Sequence, residues 1–147
     1  MFKQILEYFE NEGWKYILPE QNQEIAMLGV RTEKGKFHCV LDNDEQDKKF
    51  IFFSIYPINV PEKLRSKIAE LLLRINFTLY FGSFEMDFSD GEIRFKTSFM
   101  YQNCTLTTEL IDQIIKNNIA TMDTNFELIN TFLTEKISME EAIESLH

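Results

Sequence analysis

The densest group of side chains able to do chemistry is Glu85, Asp87, Asp90 and Glu92, four carboxylates within eight residues. Two carboxylates held close together can divide acid and base roles when burial drives their proton affinities apart. That chemistry needs a protected cleft. Here Phe84, Met86 and Phe88 alternate with Glu85 and Asp87, the period of a strand with one buried face, which leaves the acids on the wet side. Arg94 and Lys96 follow on a second strand, so the acids read as one half of an exposed charge ladder. A second acidic run, Asp42-Asn43-Asp44-Glu45-Gln46-Asp47, opens like a calcium-binding loop. It departs from that pattern where glycine is required, at Asp47, and where a bidentate glutamate is required, at Phe53. A solvated loop between two strands accounts for it.

The remaining candidates are isolated. His38 lies mid-strand beside Cys39, and His147 is the last residue; neither has a second histidine or a cysteine pair at ligand spacing. Cys39 and Cys104 read as small reduced packing residues. No serine sits in a nucleophile elbow, and the five glycines form no phosphate loop. The expectation is therefore a protein with no catalytic residues, no metal site and no cofactor, one that binds rather than reacts.

What it would bind with is apolar. Phe77, Leu79, Tyr80 and Phe81 form an aromatic connector, and Phe84 and Met86 follow directly. So much apolar surface at one junction is hard to hide in a chain of 147 residues, and exposed apolar patches mark contacts. These six residues are expected to form an interface, most simply a two-fold homodimer, and also to serve a polypeptide partner. The rival reading is a small-ligand sensor in which the same aromatic residues line a pocket.

The elements that must hold this junction are legible in the residue spacing. Pro61 opens a helix, and Leu64, Ile68, Leu71, Leu72 and Ile75 repeat at three- and four-residue steps along it. Asn76, at its end, reads as a cap. Asp90-Gly91 is a two-residue turn signal; a turn there sets Phe88 opposite Ile93, Asp87 opposite Arg94, Met86 opposite Phe95 and Glu85 opposite Lys96. Upstream, Phe2, Ile5, Leu6 and Phe9 mark a first helix that stops before Gly13, and residues 25–31, 37–41 and 49–58 read as three strands. The third is apolar on both faces, which predicts a central strand covered on both sides. Downstream, Ile111, Ile114, Ile115, Ile119, Met122, Phe126, Ile129 and Leu133 mark a helix of about six turns with Asp123-Thr124-Asn125 as a point of interruption. Ser138 with Glu141 caps a short final helix. The fold class is α+β: a five-stranded antiparallel sheet, three strands as a meander and two as a hairpin, with helices mostly on one side.

The order of helix, Arg74-Ile75-Asn76, aromatic connector ending in Gly82, Ser83-Phe84-Glu85-Met86-Asp87 and Asp90-Gly91-Glu92-Ile93-Arg94-Phe95 resembles the core signature of the YbjN family, bacterial proteins described as sensory transduction regulators. The resemblance implies a single YbjN-like domain over residues 1–147 with the fold of type III secretion chaperones, ordered α-β-β-β-α-β-β-α. That fold commonly dimerises and binds other polypeptides. No active site carries over, because no catalytic motif is matched.

Charge and hydropathy narrow the partners further. The net charge of −9 falls mostly outside residues 61–104, which carry six acids and six bases. Nucleic acid is disfavoured, since phosphate binding needs clustered lysine and arginine. No apolar run reaches the ~20 residues of a membrane span, and the acidic amphipathic start of the chain does not resemble a signal peptide. The expected location is the cytoplasm.

Overall fold

The computed structural model describes residues 1–22 and 24–147. Helix α1 (Phe2–Asn11) is followed by strands β1 (Tyr16–Ile17), β2 (Ile25–Arg31), β3 (Lys36–Asp44) and β4 (Lys49–Ile55). A 3-10 turn (Glu62–Leu64) leads into α2 (Arg65–Asn76), then come β5 (Ser83–Met86) and β6 (Ile93–Met100), and α3 (Thr108–Leu133) and α4 (Met139–Ser145) complete the described elements. Every neighbouring pair of strands is antiparallel, in the order β1-β2-β3-β4-β6-β5.

The sheet has six strands rather than the expected five. The extra one is β1, where Tyr16 lies opposite Leu28 and Ile17 opposite Met27. Two residues cannot display an alternating pattern, so periodicity gives no signal for this strand. The element order is accordingly α-β-β-β-β-α-β-β-α-α.

Cross-strand partners share a face, and the register divides the sheet cleanly. One face carries Leu28, Cys39, Ser54, Phe95 and Phe84 in a single transverse row, all of them buried. Helix α3 lies across β4 and β6 on this face, α2 packs against β5, and α1 packs against α3. Ile5 and Phe9 of α1, Ile68, Leu71 and Ile75 of α2, and Ile111, Ile115 and Ile129 of α3 are fully buried. Burial of this kind stabilises by roughly 25 cal/mol per Å2 of apolar surface.

The opposite face has no helical cover among the described residues. Ile51, Phe53 and Ile55 of the central β4 are only half-buried there, so the expected second cover is absent from the described elements. The Arg94 guanidinium stands 4.3 Å from the centre of the Phe53 ring and shields part of it.

The β5–β6 connection differs from the two-residue turn expected at Asp90-Gly91. Met86 lies opposite Ile93, Glu85 opposite Arg94, Phe84 opposite Phe95 and Ser83 opposite Lys96. The register is displaced by two residues, which keeps every side chain on its expected face. Residues 87–92 form the loop, held by the Asp87 N–H to the Glu92 carbonyl at 2.9 Å and the Gly91 N–H to the Asp87 carbonyl at 2.7 Å. The Asp87 carboxylate accepts from the Ser89 N–H and the Asp90 carboxylate from the Glu92 N–H. These side-chain turns compete with a type I′ turn, which would need a positive φ at Asp90 as well as at Gly91; of the two only Gly91 has one, at 81°.

Helix α3 runs unbroken through Asp123-Thr124-Asn125 for 26 residues, about 39 Å. Its buried stripe is Ile111, Ile115, Asn118, Met122, Asn125, Ile129 and Phe132, alternating four- and three-residue steps with two asparagines inside it. Asn118 is fully buried. Its Nδ2 donates to the carbonyls of Phe52 and Phe95 and to Thr97 Oγ1, while its Oδ1 accepts from Ser54 Oγ at 2.6 Å. The long helix is thereby fastened to the middle of the sheet.

Candidate functional site

The carboxylates of the β5–β6 hairpin are not brought into an acid–base pair. Glu85 receives Arg94 Nε at 2.9 Å and Lys96 Nζ at 2.6 Å. Partial burial works against its charge, but the two cationic hydrogen bonds outweigh that effect and hold the carboxyl below its ordinary proton affinity. Asp87 is exposed and fixed by Ser89 rather than by Arg94. Asp90 and Glu92 belong to the loop.

The acidic run Asp42–Asp47 is only partly the loop expected of it: Asp42, Asn43 and Asp44 are the last residues of β3, with Asn43 buried, and the turn begins at Glu45. Glu45 accepts from the Met1 ammonium at 2.9 Å, from the Phe2 N–H, from Asn43 Nδ2 and from the Tyr101 hydroxyl. The ammonium group is the main cause of its carboxyl being lowered to about 2, with partial burial opposing and Asn43 and Phe2 adding to the effect. Among the described residues no three His, Cys, Asp or Glu side chains converge as a metal site. His38 and His147 are exposed. Cys39 is buried beside Ser54 Oγ at 3.4 Å, and burial pushes its thiol up to about 12. Cys104 is exposed and does not pack in the core, contrary to expectation: it falls in the loop before α3, outside any apolar stripe.

The junction after α2 leaves several large apolar side chains in solvent. Phe77 is 93% exposed, Tyr80 97% and Phe81 71%. Leu73, one helical turn before Phe77, is 69% exposed. Leu79 is half-buried against the core, Met86 is half-buried, and Phe84 is in the core with its ring 4.8 Å from that of Phe95. The expected six-residue set thus separates into three exposed aromatics and three side chains turned inward. Strand alternation accounts for Phe84: it shares the covered face with Phe95. Leu73 and Phe88, also exposed, were missed because one sits outside the stripe of α2 and the other was placed in the ladder.

Two backbone features shape this corner. Asn76 does not cap α2 with its side chain but reaches to β5, its Nδ2 donating to the Phe84 carbonyl at 3.0 Å and its Oδ1 accepting from the Phe84 N–H at 2.7 Å. One amide side chain therefore takes the place of a neighbouring strand at the β5 edge. Gly82 has a φ of 76° and sits so tightly on β6 that a Cβ would lie 2.8 Å from the Lys96 carbonyl oxygen and 2.6 Å from the Phe95 ring. The ladder of β5 begins one residue later.

Beside this corner lies an open groove of about 660 Å3 between the end of β6 and the first turns of α3. Phe81, Phe99, Leu110 and Ile114 supply its apolar lining, and Ser98, Gln113 and Asn117 its polar one. Among the described residues Lys96 is the one charged side chain on its wall, and it is already held by Glu85.

Comparison with known proteins agrees with this architecture. The model of the YbjN family, described as "Putative bacterial sensory transduction regulator", matches residues 2–130. A solved structure described as "Crystal structure of YbjN, a putative transcription regulator from E. coli" superposes with a TM-score of 0.66 at 12% identity, over 92% of this chain and 93% of that one. A chain of the "Crystal Structure of the ExsC-ExsE Complex" superposes with a TM-score of 0.54 at 12% identity, over 87% of this chain and 92% of that one. No curated protein sequence matches the chain. The likeness shows a shared chaperone-like α+β fold, an antiparallel sheet with helices, here with six strands.

Proposed function

The chain belongs to the YbjN family, and from that premise we propose that it is a non-enzymatic binding module, a regulator or chaperone-like protein that holds another polypeptide on an apolar surface. The observation that carries this reading is the exposure of Leu73, Phe77, Tyr80 and Phe81 together at the end of α2. Large side chains left in water at one corner lower the stability gained on folding unless something covers them. The fold shared with a chain of the ExsC–ExsE complex favours a polypeptide as that cover, and so does the absence of a convergent set of reactive groups among the described residues. A two-fold pairing of the chain through the same corner is the simplest self-association compatible with the surface.

The test is a selection of random peptides displayed on phage, followed by affinity measurements on the winners. The expected result is enrichment of binders whose affinity falls about tenfold or more with Phe77→Asp or Phe81→Asp, a loss of the size expected for an interface anchor, while Lys63→Glu and Glu92→Lys leave it unchanged. Equal binding by all four folded variants, or no enriched peptide, overturns the reading. Light scattering across a concentration series reports self-association, and dissociation of a dimer by Phe81→Asp without unfolding places the self-contact at this corner.

The groove beside Phe81 favours a second reading, a sensor of a small apolar ligand, because its volume lies within the range of small-molecule sites. Thermal stabilisation by small apolar compounds, lost in Ile114→Asp, together with failure of the peptide selection, would decide for it.

A further inference from the structure

The two long edges near the aromatic corner are finished differently. Along β6 the main-chain groups of odd-numbered residues point to β4: the Tyr56 N–H donates to the Ile93 carbonyl at 2.8 Å, and the Tyr101 N–H to the Lys48 carbonyl at 2.8 Å. Even-numbered residues therefore point to the other side, as the Asp87 N–H to Glu92 carbonyl bond confirms. Strand β5 pairs with β6 only as far as Lys96, opposite Ser83. Ser98 and Met100 thus present their N–H and C=O groups to a side where no strand lies, and among the described residues no hydrogen bond from the connector or from α3 reaches them. The outer edge of β5, in contrast, is closed at Phe84 by the Asn76 amide. Natural sheets commonly close their edges in this way, and this stretch of β6 is left open.

The groove described above runs directly along that open stretch. We propose that residues 97–100 of β6 accept an extended segment of the partner polypeptide as an added antiparallel or parallel strand, with one apolar side chain of that segment seated between Phe81, Leu110 and Ile114. This rests on the polypeptide-binding reading and names its place and mode. The open stretch spans four residues, about 13 Å of strand, and Ser98 and Met100 offer two donors and two acceptors at the β repeat. A small apolar ligand would fill the groove and leave those groups unbonded; a peptide main chain matches them. Side chains of an added strand alternate, so the residue set opposite the covered face enters the groove while its neighbours stay in solvent.

A second copy of this chain fits less well. Pairing β6 with its own counterpart would offer only Thr97 and Phe99 on the covered face. Thr97 is buried, and the Phe99 ring packs 6.1 Å from that of Phe50. Neither is free to enter the groove, which would remain empty. The wall of the groove is nearly neutral, so the recognised segment is chosen by its apolar side chain and its extended main chain rather than by charge.

The experiment uses the peptides from the selection described above and reads amide hydrogen exchange on the full chain. The expected result is that saturating peptide slows exchange at Ser98 and Met100 by about tenfold or more, as pairing protects an edge. Ser98→Pro removes an outward-facing donor without touching the β4 ladder, and Ile114→Trp fills the groove; each is expected to weaken binding about tenfold, one broken contact's worth. Ile114→Trp keeps the test informative if Ser98→Pro fails to fold. Peptides that bind and are sensitive to Phe77→Asp, yet leave the Ser98 and Met100 amides exchanging freely, overturn this inference while the polypeptide-binding reading stands. No enriched peptide overturns both. Protection of Ser98 and Met100 in a peptide-free dimer assigns the edge to a second copy and overturns the proposed occupant.

Discussion

Asn118 is the residue on which the joining of α3 to the sheet most depends. It sits at zero exposure on an otherwise apolar stripe and answers four groups from β4 and β6: two main-chain carbonyls, the Thr97 hydroxyl and the Ser54 hydroxyl. A leucine has similar volume but meets none of them. Asn118→Leu is expected to destabilise the fold by on the order of 3 kcal/mol, the result of leaving several buried polar groups without partners. Urea unfolding measures this directly, and a change below ~1 kcal/mol would mean that the buried groups find other partners. Ser54→Ala in the Asn118→Leu background should then add little, because the two side chains act as a unit. The same position illustrates what spacing alone conceals. The apolar residues of α3 mark its buried side well enough to place the helix, but Asn118 and Asn125 fall within that side and look solvent-facing by type. Only the strict alternation of four- and three-residue steps, which runs straight through both asparagines, could have revealed them.

At the scale of elements, long patterned segments are legible and their ends are not. Strand β2 spans residues 25–31 as expected, since seven residues contain enough alternation to fix both length and face. Hairpin β5–β6 kept its faces but not its turn. Its position was decided by Asp87 and Asp90 bending the main chain locally, an interaction of a few residues that leaves no periodic trace. Gly91 remains essential to the loop for a reason beyond its φ: a Cβ there would strike the Val60 carbonyl oxygen, while the Val60 N–H donates to the Gly91 carbonyl at 2.8 Å. Gly91→Ala is therefore expected to lower stability by roughly 3 kcal/mol, combining a left-handed conformation with a main-chain clash. Asp90→Ala, which removes one side-chain turn, should lower it by about 1 kcal/mol. Equal losses in thermal unfolding would contradict this account of the loop. Asn76→Ala tests the closed edge of β5 in the same way. Removing both hydrogen bonds to Phe84 is expected to lower stability by about 1–2 kcal/mol and to speed amide exchange at Phe84, with no effect on the Ser98 and Met100 amides.

At the scale of the whole molecule, the start of the chain, the β3–β4 loop and the end of β6 are drawn together at one carboxylate. Glu45 holds the Met1 ammonium and receives the hydroxyl of Tyr101, whose main chain in turn continues the β4–β6 pairing through Lys48. No apolar pattern foretells such a junction, because it joins residues 44 and 56 positions apart through a side chain that composition marks as solvent-exposed. Its contribution depends on charge, and the sign follows from the lowered proton affinity. An unfolded glutamate protonates near 4.5, whereas Glu45 in the folded chain holds its charge down to about 2. The stabilisation is complete above pH 4.5 and is lost progressively as the pH falls toward 2. Because the side chain is 41% accessible, solvent screening keeps the effect modest, and total stability against pH would not isolate it from the other carboxylates. The difference between the wild-type chain and Glu45→Gln does isolate it. That difference, measured by urea unfolding at low salt, is expected to be largest and constant between pH 5 and pH 7 and to shrink between pH 4.5 and pH 2. A difference that stays constant down to the lowest pH would show that Glu45 acts through its shape and neutral hydrogen bonds, and that the ammonium contributes nothing to holding the chain's first helix on the sheet.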